Sequence, residues 1–69
     1  MKVSEKIKEL CFRSNISIAE LARRLNVSPQ ALHGKIRRES FTIEELETIA
    51  SAVGCEFEYH FNLTNGNRI

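Results

Sequence analysis

The sequence contains no aspartate, so glutamate supplies all nine of its acidic residues. It has no glycine-rich loop of the kind that cradles phosphate groups, and neither of its two histidines is paired with a nucleophile. These are the side-chain sets on which most hydrolases and phosphoryl-transfer enzymes depend. We therefore expect no enzyme activity, no cofactor and no small-molecule ligand.

Long apolar runs are also missing, and no stretch approaches the roughly 20 residues that a membrane span needs. Met1-Lys2-Val3 leads directly into a charged helix, without the apolar region of a signal peptide, so we expect a cytoplasmic protein. Cys11 and Cys55 are too few and too far apart to predict a disulfide scaffold or a zinc site. Cys11 is interpreted as a small buried hydrophobe, with a redox or metal role as the alternative.

The chain has 69 residues, which is the length of one domain. A domain of this size buries only about 60% of the surface of its unfolded chain, so its core is marginal by itself. Association with another chain is a simple way to add buried surface. The length alone therefore favours an oligomer.

The stretch of residues 16–38 reads as two short helices joined by a tight turn. Ser17 and Glu20 have the spacing of a capping box, in which a hydroxyl and a carboxylate satisfy the free backbone donors at a helix start. Leu21, Ala22 and Leu25 then recur at helical spacing. These features predict a helix at about residues 18–25.

Asn26 follows this helix and is one of the few residues other than glycine that tolerate a left-handed backbone. Val27 is expected to point inward. Ser28 and Pro29 have the residue types of an N-cap and a first helical position. Leu32 and Ile36, four residues apart, give the next helix, at about residues 29–38, its inward face.

Charge is unevenly distributed, although the net charge is only +1. The window from Leu21 to Arg38 has five cations and no acid, and the window from Glu39 to Glu58 has six acids and no Lys or Arg. One basic and one acidic region would orient the molecule on a polyanion. Two helices, a tight turn and a positive second helix are typical of proteins that read the major groove of DNA.

Two more helices are expected around this pair. One is predicted at residues 4–14, with Ser4 as its N-cap, and Val3, Ile7, Leu10 and Cys11 form an apolar stripe that should face the core. Thr42 and Glu45 have the spacing of a second capping box, and the apolar residues from Ile43 to Val53 recur at helical spacing until Gly54, whose type suits a left-handed helix end.

The sequence resembles the helix-turn-helix of the phage repressor and Cro (Xre-like) family over about residues 3–54. The resemblance rests on Ile16-Ser17, Glu20-Leu21-Ala22, Leu25-Asn26-Val27-Ser28, Gln30-Ala31-Leu32, Phe41-Thr42-Ile43, and the spacing of Leu46, Ile49-Ala50 and Val53-Gly54. Ile18 stands where many members have a glutamine that braces the phosphate backbone, and Asn26 replaces the usual turn glycine. The resemblance implies a four-helix, lambda-repressor-like domain over residues 1–54, in a mainly α chain that regulates transcription by binding specific double-stranded DNA.

Residues 55–63 alternate apolar and polar side chains, which predicts one half-buried β-strand after the helices. No other long strand is evident, so we expect this strand to pair with its copy in a twofold homodimer through Phe57, Tyr59 and Phe61. Residues 55–69 would then be a dimerisation element. A hairpin closed by Asn65-Gly66 is the alternative, with only residues 67–69 available to return along it.

The site residues follow from the inward face set by Leu32 and Ile36. The expected base contacts are Gln30, His33, Arg37, Pro29 and Gly34. Gln30 lies in the first turn, where its amide suits adenine, and the resemblance also implies a base contact there. His33 could contact DNA or be inert. Gly34, which is unfavourable inside a helix, suggests either close approach to DNA or a close helix–helix contact.

Phosphate contacts are expected from six residues, with the basic ones supplying the electrostatic part of binding. Lys35 and Arg38 flank the recognition helix, whereas Arg23 and Arg24 could equally be plain surface charges. Ser28 and Thr42 could donate to phosphates, although their positions are explained by helix capping alone. The rival function is an antitoxin-like or other protein-binding module, in which the exposed strand accepts a strand of a partner protein. A sequence-tolerant DNA coater is disfavoured because there is no long basic tail.

Overall fold

The computed structural model describes residues 2–69 of the chain. It contains four helices in the order α1 (Val3–Arg13), α2 (Ile18–Arg24), α3 (Pro29–Arg38) and α4 (Ile43–Ala52). The prediction of a mainly helical chain with four helices is therefore confirmed. No helix within these residues has both the length and the apolar character needed to cross a membrane.

The core lies where the four helices meet. Its most completely buried large side chains are Leu21 of α2 and Leu32 of α3, which are 0% and 2% exposed. The other core residues are Ile7, Cys11, Ala22, Ile36 and Ile49. Burial of this apolar surface fixes α2 and α3 against each other and leaves the opposite side of α3 free. The interpretation of Cys11 as a buried hydrophobe is confirmed, and burial raises the pKa of its thiol.

The turn between α2 and α3 is set by residues that the sequence identifies. Asn26 adopts the predicted left-handed conformation, with φ of 61°. Ser28 is the N-cap of α3, and its Oγ accepts a hydrogen bond from the backbone N–H of Ala31 at 3.1 Å. Pro29 occupies the first turn, where its missing N–H leaves no helical hydrogen bond unmade.

The two predicted capping boxes differ in outcome. Thr42 and Glu45 form the complete box at the start of α4, with hydrogen bonds of 3.1 and 2.9 Å. At α2 only half of the box forms, because Ser17 Oγ accepts from the N–H of Glu20 but the Glu20 carboxylate binds arginines instead. Charged hydrogen bonds to guanidinium groups outcompete the backbone donor at this site.

Two local expectations are wrong. Helix α1 begins at Val3 rather than after a Ser4 cap, and Ser4 is buried. The backbone N–H of Ser4 donates to Glu39 Oε1 at 3.0 Å, so a carboxylate from the end of α3 stabilises the start of α1. Glu39 reaches this position because it ends α3 in a left-handed conformation, with φ of 54°. Val27, expected inward, is 44% exposed.

The predicted strand over residues 55–63 does not form in the single chain. Between residues 56 and 60 the described structure contains no backbone hydrogen bond, because no second segment lies alongside to complete a ladder. The chain instead turns at residues 64–66. Phe61 and Ile69 exchange backbone hydrogen bonds of 2.6 and 3.0 Å, and Asn62 and Arg68 form an isolated antiparallel bridge. The short hairpin closed by Asn65-Gly66 is therefore what the chain adopts, and residues 55–69 are called the C-terminal arm below.

Candidate nucleic-acid interface

Helix α3 has one buried and one exposed face. Leu32 and Ile36 are buried in the core, and the exposed side chains on the rest of the helix are those of Pro29, Gln30, Ala31, His33, Arg37 and Arg38. The 3.6-residue period produces this division, because residues four apart share a face. Four of the five expected base-contact residues therefore lie on an exposed surface.

Three of these side chains are free to bind an external partner. Within residues 2–69, the side chains of Gln30, His33 and Arg37 make no hydrogen bond or ion pair with the protein. Gln30 lies one residue after Pro29, in the first turn of α3. The side-chain amide of Gln30 therefore keeps its two N–H donors and its carbonyl acceptor free to form hydrogen bonds with a base edge.

Gly34, the fifth expected base-contact residue, is buried rather than exposed. A Cβ built on Gly34 would lie 3.0 Å from Arg38 Nη1, and the three heavy atoms nearest to it, apart from the helix's own backbone, all belong to the Arg38 guanidinium. The Arg38 side chain thus folds back over Gly34, one helical turn earlier. The nearest cover of the glycine is therefore a long, flexible side chain of its own helix.

Arg23 and Arg24 both bind Glu20, which lies three and four residues earlier on α2. Arg23 Nε and Nη2 donate to the two Glu20 oxygens at 2.8 and 2.5 Å, and Arg24 Nε donates to Oε2 at 2.9 Å. These hydrogen bonds lower the pKa of Glu20 to about 2 and raise that of Arg23. Arg24 also donates to the Ala52 carbonyl at 3.1 Å and so ties α2 to the end of α4.

Lys35 is also engaged within the protein. Its Nζ lies 2.5 Å from Glu45 Oε2, and the side chain is half-buried between α3 and α4. The ion pair with Lys35 is the main reason that the pKa of Glu45 is lowered. The oxygens of Ser28 and Thr42 cap helices, as their positions in the sequence suggested.

The basic region is consequently less basic than the sequence count suggests. Of the five cations between Leu21 and Arg38, three face carboxylates. Within the part of the chain that the structure describes, only Arg37 and Arg38 of this set have no acidic partner. Within this window, the positive charge left for a polyanion therefore lies in the C-terminal half of α3.

The sequence analysis missed the roles of Glu20 and Glu45 in pairing these cations. The spacing of Glu20 from Arg23 and Arg24 is the i, i+3 and i, i+4 spacing of helical ion pairs, so this signal was present. Glu45 and Lys35 belong to different helices, α4 and α3, and only the tertiary fold brings them together. No sequence pattern identifies that pair.

The aromatic residues of the C-terminal arm are mostly exposed. Tyr59 is 62% and Phe61 is 74% exposed, whereas Phe57 is half-buried and stacks on Tyr59 with ring centroids 5.8 Å apart. Phe57 also lines an apolar groove of about 440 Å³ between α1 and α4, with Ile7, Leu10 and Leu46 among its walls. Among residues 2–69, no three His, Cys or Glu side chains are grouped as metal ligands.

Two helices joined by a short turn, with the second exposing a face that carries unpaired polar and basic side chains, define a helix-turn-helix protein. The chain belongs to the Cro/C1-type HTH DNA-binding domain family, whose family model matches residues 6–58. The match covers all of α2, α3 and α4 and most of α1. The resemblance noted in the sequence is thereby confirmed, and duplex DNA is the partner that the family implies. Neither a curated protein nor a solved structure gives a significant match.

Proposed function

We propose that this chain is a small transcription regulator that binds a specific DNA sequence as a twofold dimer, with α3 in the major groove. The observation that carries the proposal is the exposed face of α3, where Gln30, His33 and Arg37 have no partner within the described protein. A recognition helix needs such side chains free, because they exchange water for base edges on binding.

Gln30 is the main candidate for reading sequence. Its position in the first turn of α3 is where recognition helices of this class meet base edges. A glutamine amide can bind adenine through two hydrogen bonds, which discriminates against other bases by about 1–3 kcal/mol. Pro29 and His33 flank it on the exposed surface and would contact the neighbouring positions.

Arg37 and Arg38 would supply the electrostatic part of binding. Both are exposed in the last turn of α3, and neither is paired with a carboxylate of residues 2–69. Arg23 would contribute less to the electrostatic attraction for DNA than its charge implies, because it is paired with Glu20. Lys35 would contribute still less, because it is half-buried and paired with Glu45. Phosphate contacts of this kind position the helix but carry no sequence information.

The dimer is supported by surface area and shape. The chain exposes 5419 Å², whereas a compact protein of 7.9 kDa exposes about 4,400 Å². The excess of about 1,000 Å² is similar to the roughly 800 Å² that each partner hides in a standard interface. The radius of gyration is 13.3 Å, against about 11 Å for a compact chain of this length.

The C-terminal arm is the proposed contact between subunits. Its backbone groups between residues 56 and 60 are unpaired, and Tyr59 and Phe61 are exposed beside them. Pairing of the two arms about a twofold axis would satisfy the backbone groups and bury the rings of both copies. The two α3 helices would then read half-sites one DNA turn, about 34 Å, apart.

The DNA-reading proposal is tested by selecting duplexes from a random pool. We expect the wild-type chain to enrich a sequence with dyad symmetry, and Gln30→Ala to lose preference at one base pair of each half-site. Binding to random duplex should change little, since the phosphate contacts remain. Enrichment of no sequence, or an unchanged preference in Gln30→Ala, would show that α3 does not read DNA in this register.

The dimer is tested by light scattering at tens of micromolar. We expect the wild-type mass to be twice that of one chain and Phe61→Ser to be monomeric. Because Phe61 is 74% exposed in the single chain, the substitution should leave the monomer's unfolding free energy within about 0.5 kcal/mol. A monomeric wild-type chain would refute the dimer without touching the DNA-reading helix.

The unpaired backbone of the arm also supports a second candidate, a module that accepts a strand of another protein, as an antitoxin-like chain would. The two candidates differ in their response to DNA. A regulator binds random duplex with an affinity that falls as salt rises, whereas a protein-binding module shows no such dependence.

A further inference from the structure

Gly34 has no explanation within the protein's own fold. It lies inside α3 with ordinary helical backbone, so no left-handed conformation requires glycine there. Apart from the backbone of α3 itself, the three heavy atoms nearest to a Cβ at this position all belong to Arg38, and none of the three comes from α1, α2 or α4. A close helix–helix contact, which was one interpretation of this glycine, is therefore not supported by its nearest neighbours. Glycine is also among the poorest helix formers, so the fold itself would favour alanine.

The space that a Cβ would fill lies on the DNA-facing side of α3. Gln30, Gly34 and Arg38 are spaced four residues apart and form one row along the exposed face. The atoms that occupy the space are those of the Arg38 guanidinium, the mobile end of a side chain with no hydrogen bond or ion pair among residues 2–69. We call this space over the Gly34 Cα, between Gln30 and Arg38, the notch. The Arg38 guanidinium fills it and can move away by a change of side-chain rotamer.

We infer that Gly34 is a specificity-determining position, at which the notch receives the methyl group of a thymine in the major groove. This inference rests on the proposed function. When Arg38 moves to a phosphate, it uncovers a surface made of the glycine Cα, whose backbone N–H and C=O are already used within the helix. Such a surface offers no hydrogen bond, and the thymine methyl is the one apolar feature of the major-groove edge. Glycine lets the helix backbone approach that edge closely.

The test begins with Gly34→Ala and a duplex of about three helical turns that the wild-type chain selects from a random pool. The variant should fold, with a melting temperature unchanged or up to about 4–8 °C higher, because alanine favours the helix. We expect its affinity for the selected duplex to fall at least about tenfold, since one misfitted base contact has about that effect. Affinity for random duplex should fall much less, because phosphates carry that binding.

The matched measurement is the affinity for duplexes in which single thymines are replaced by deoxyuridine, which lacks only the methyl group. The wild-type chain should lose affinity at one thymine in each half-site, and Gly34→Ala should be insensitive to the replacement at that same position. Ala31→Gly is the control for helix propensity, because it should lower the melting temperature without changing the response to deoxyuridine. The loss caused by Gly34→Ala should persist in an Arg38→Ala background, where the guanidinium is gone.

Three results overturn the inference. The first is that Gly34→Ala binds the selected duplex as tightly as the wild-type chain does. The second is disappearance of the Gly34→Ala effect in the Arg38→Ala background, which would mean that the added methyl acts only by displacing Arg38. The third is that deoxyuridine weakens binding of Gly34→Ala as much as it weakens binding of the wild-type chain, at the same position. Failure of the wild-type chain to bind any duplex would instead refute the proposed function, and the inference with it.

Discussion

Replacement of Arg38 by alanine tests how α3 contacts the phosphate backbone. The Arg38 guanidinium lies over Gly34 in the free protein, is exposed, and has no acidic partner in the described chain. Alanine and arginine have similar helix propensity, so the variant should fold as the wild type does. The substitution therefore removes one available cation from the exposed surface of α3 and leaves the core intact.

The magnitude follows from counterion release. Each phosphate contact contributes about 0.9 to the slope of log affinity against log salt concentration. Loss of one contact in each subunit of a dimer should shallow that slope by about 1.8. Between about 50 and 200 mM salt, the wild-type dimer should lose about 12-fold more affinity than Arg38→Ala, and a monomer with one contact about 3.5-fold more.

Binding to random duplex DNA, measured by fluorescence anisotropy over this salt range, gives both slopes. Arg13→Ala is the matched control, because it removes the same charge from α1, where Arg13 pairs with Glu9 at 2.7 Å. We expect its slope to stay close to that of the wild type. Equal slopes for Arg38→Ala and Arg13→Ala would refute the reasoning, since net charge rather than position on α3 would then govern binding.

Two further predictions concern stability. Hydrogen bonds to Arg23 and Arg24 lower the pKa of Glu20 from its ordinary value of 4.5 to about 2, so these ion pairs stabilise the fold fully above pH 4.5 and are lost as the pH falls toward about 2. Over that pH range, thermal melts of Glu20→Gln should therefore show a smaller loss of melting temperature than those of the wild type, and an equal loss would contradict this role. Leu32→Ala should lower the free energy of unfolding by about 2.7–5 kcal/mol in urea titrations, because Leu32 is 2% exposed. Val27→Ala, at a position 44% exposed, is its control and should change stability far less.

The helical part of the fold could be predicted because its determinants are local. Ser28 before Pro29, and Thr42 three residues before Glu45, start helices through contacts within one turn. Asn26 could be assigned a left-handed backbone from its residue type and its place between two apolar stripes. The buried face of α3 followed from the spacing of Leu32 and Ile36, and the exposed face followed from it.

The features that were missed depend on contacts between distant residues. The hydrogen bond from Ser4 to Glu39 spans 35 positions, so residue type at the start of α1 pointed to the wrong cap. Lys35 was expected to bind phosphate, and only helix packing shows that it faces Glu45. Gly34 was expected to be exposed, but the rotamer of Arg38 decides whether it is covered.

The C-terminal arm shows a further limit. Alternation of apolar and polar residues predicts which side chains share a face, but a strand also needs a second segment to pair with. In the described structure, residues 67–69 pair only with residues 61–63, and the ladder remains a single isolated bridge.

Titration of isotope-labelled protein with its selected duplex, followed by amide chemical shifts, tests most directly whether the exposed face of α3 enters the DNA groove. We expect the largest shifts at residues 29–38, including the side-chain amide of Gln30, with small shifts at the C-terminal arm. Large shifts confined to the arm and α1, with residues 29–38 unchanged, would contradict the assignment of α3 as the reading helix.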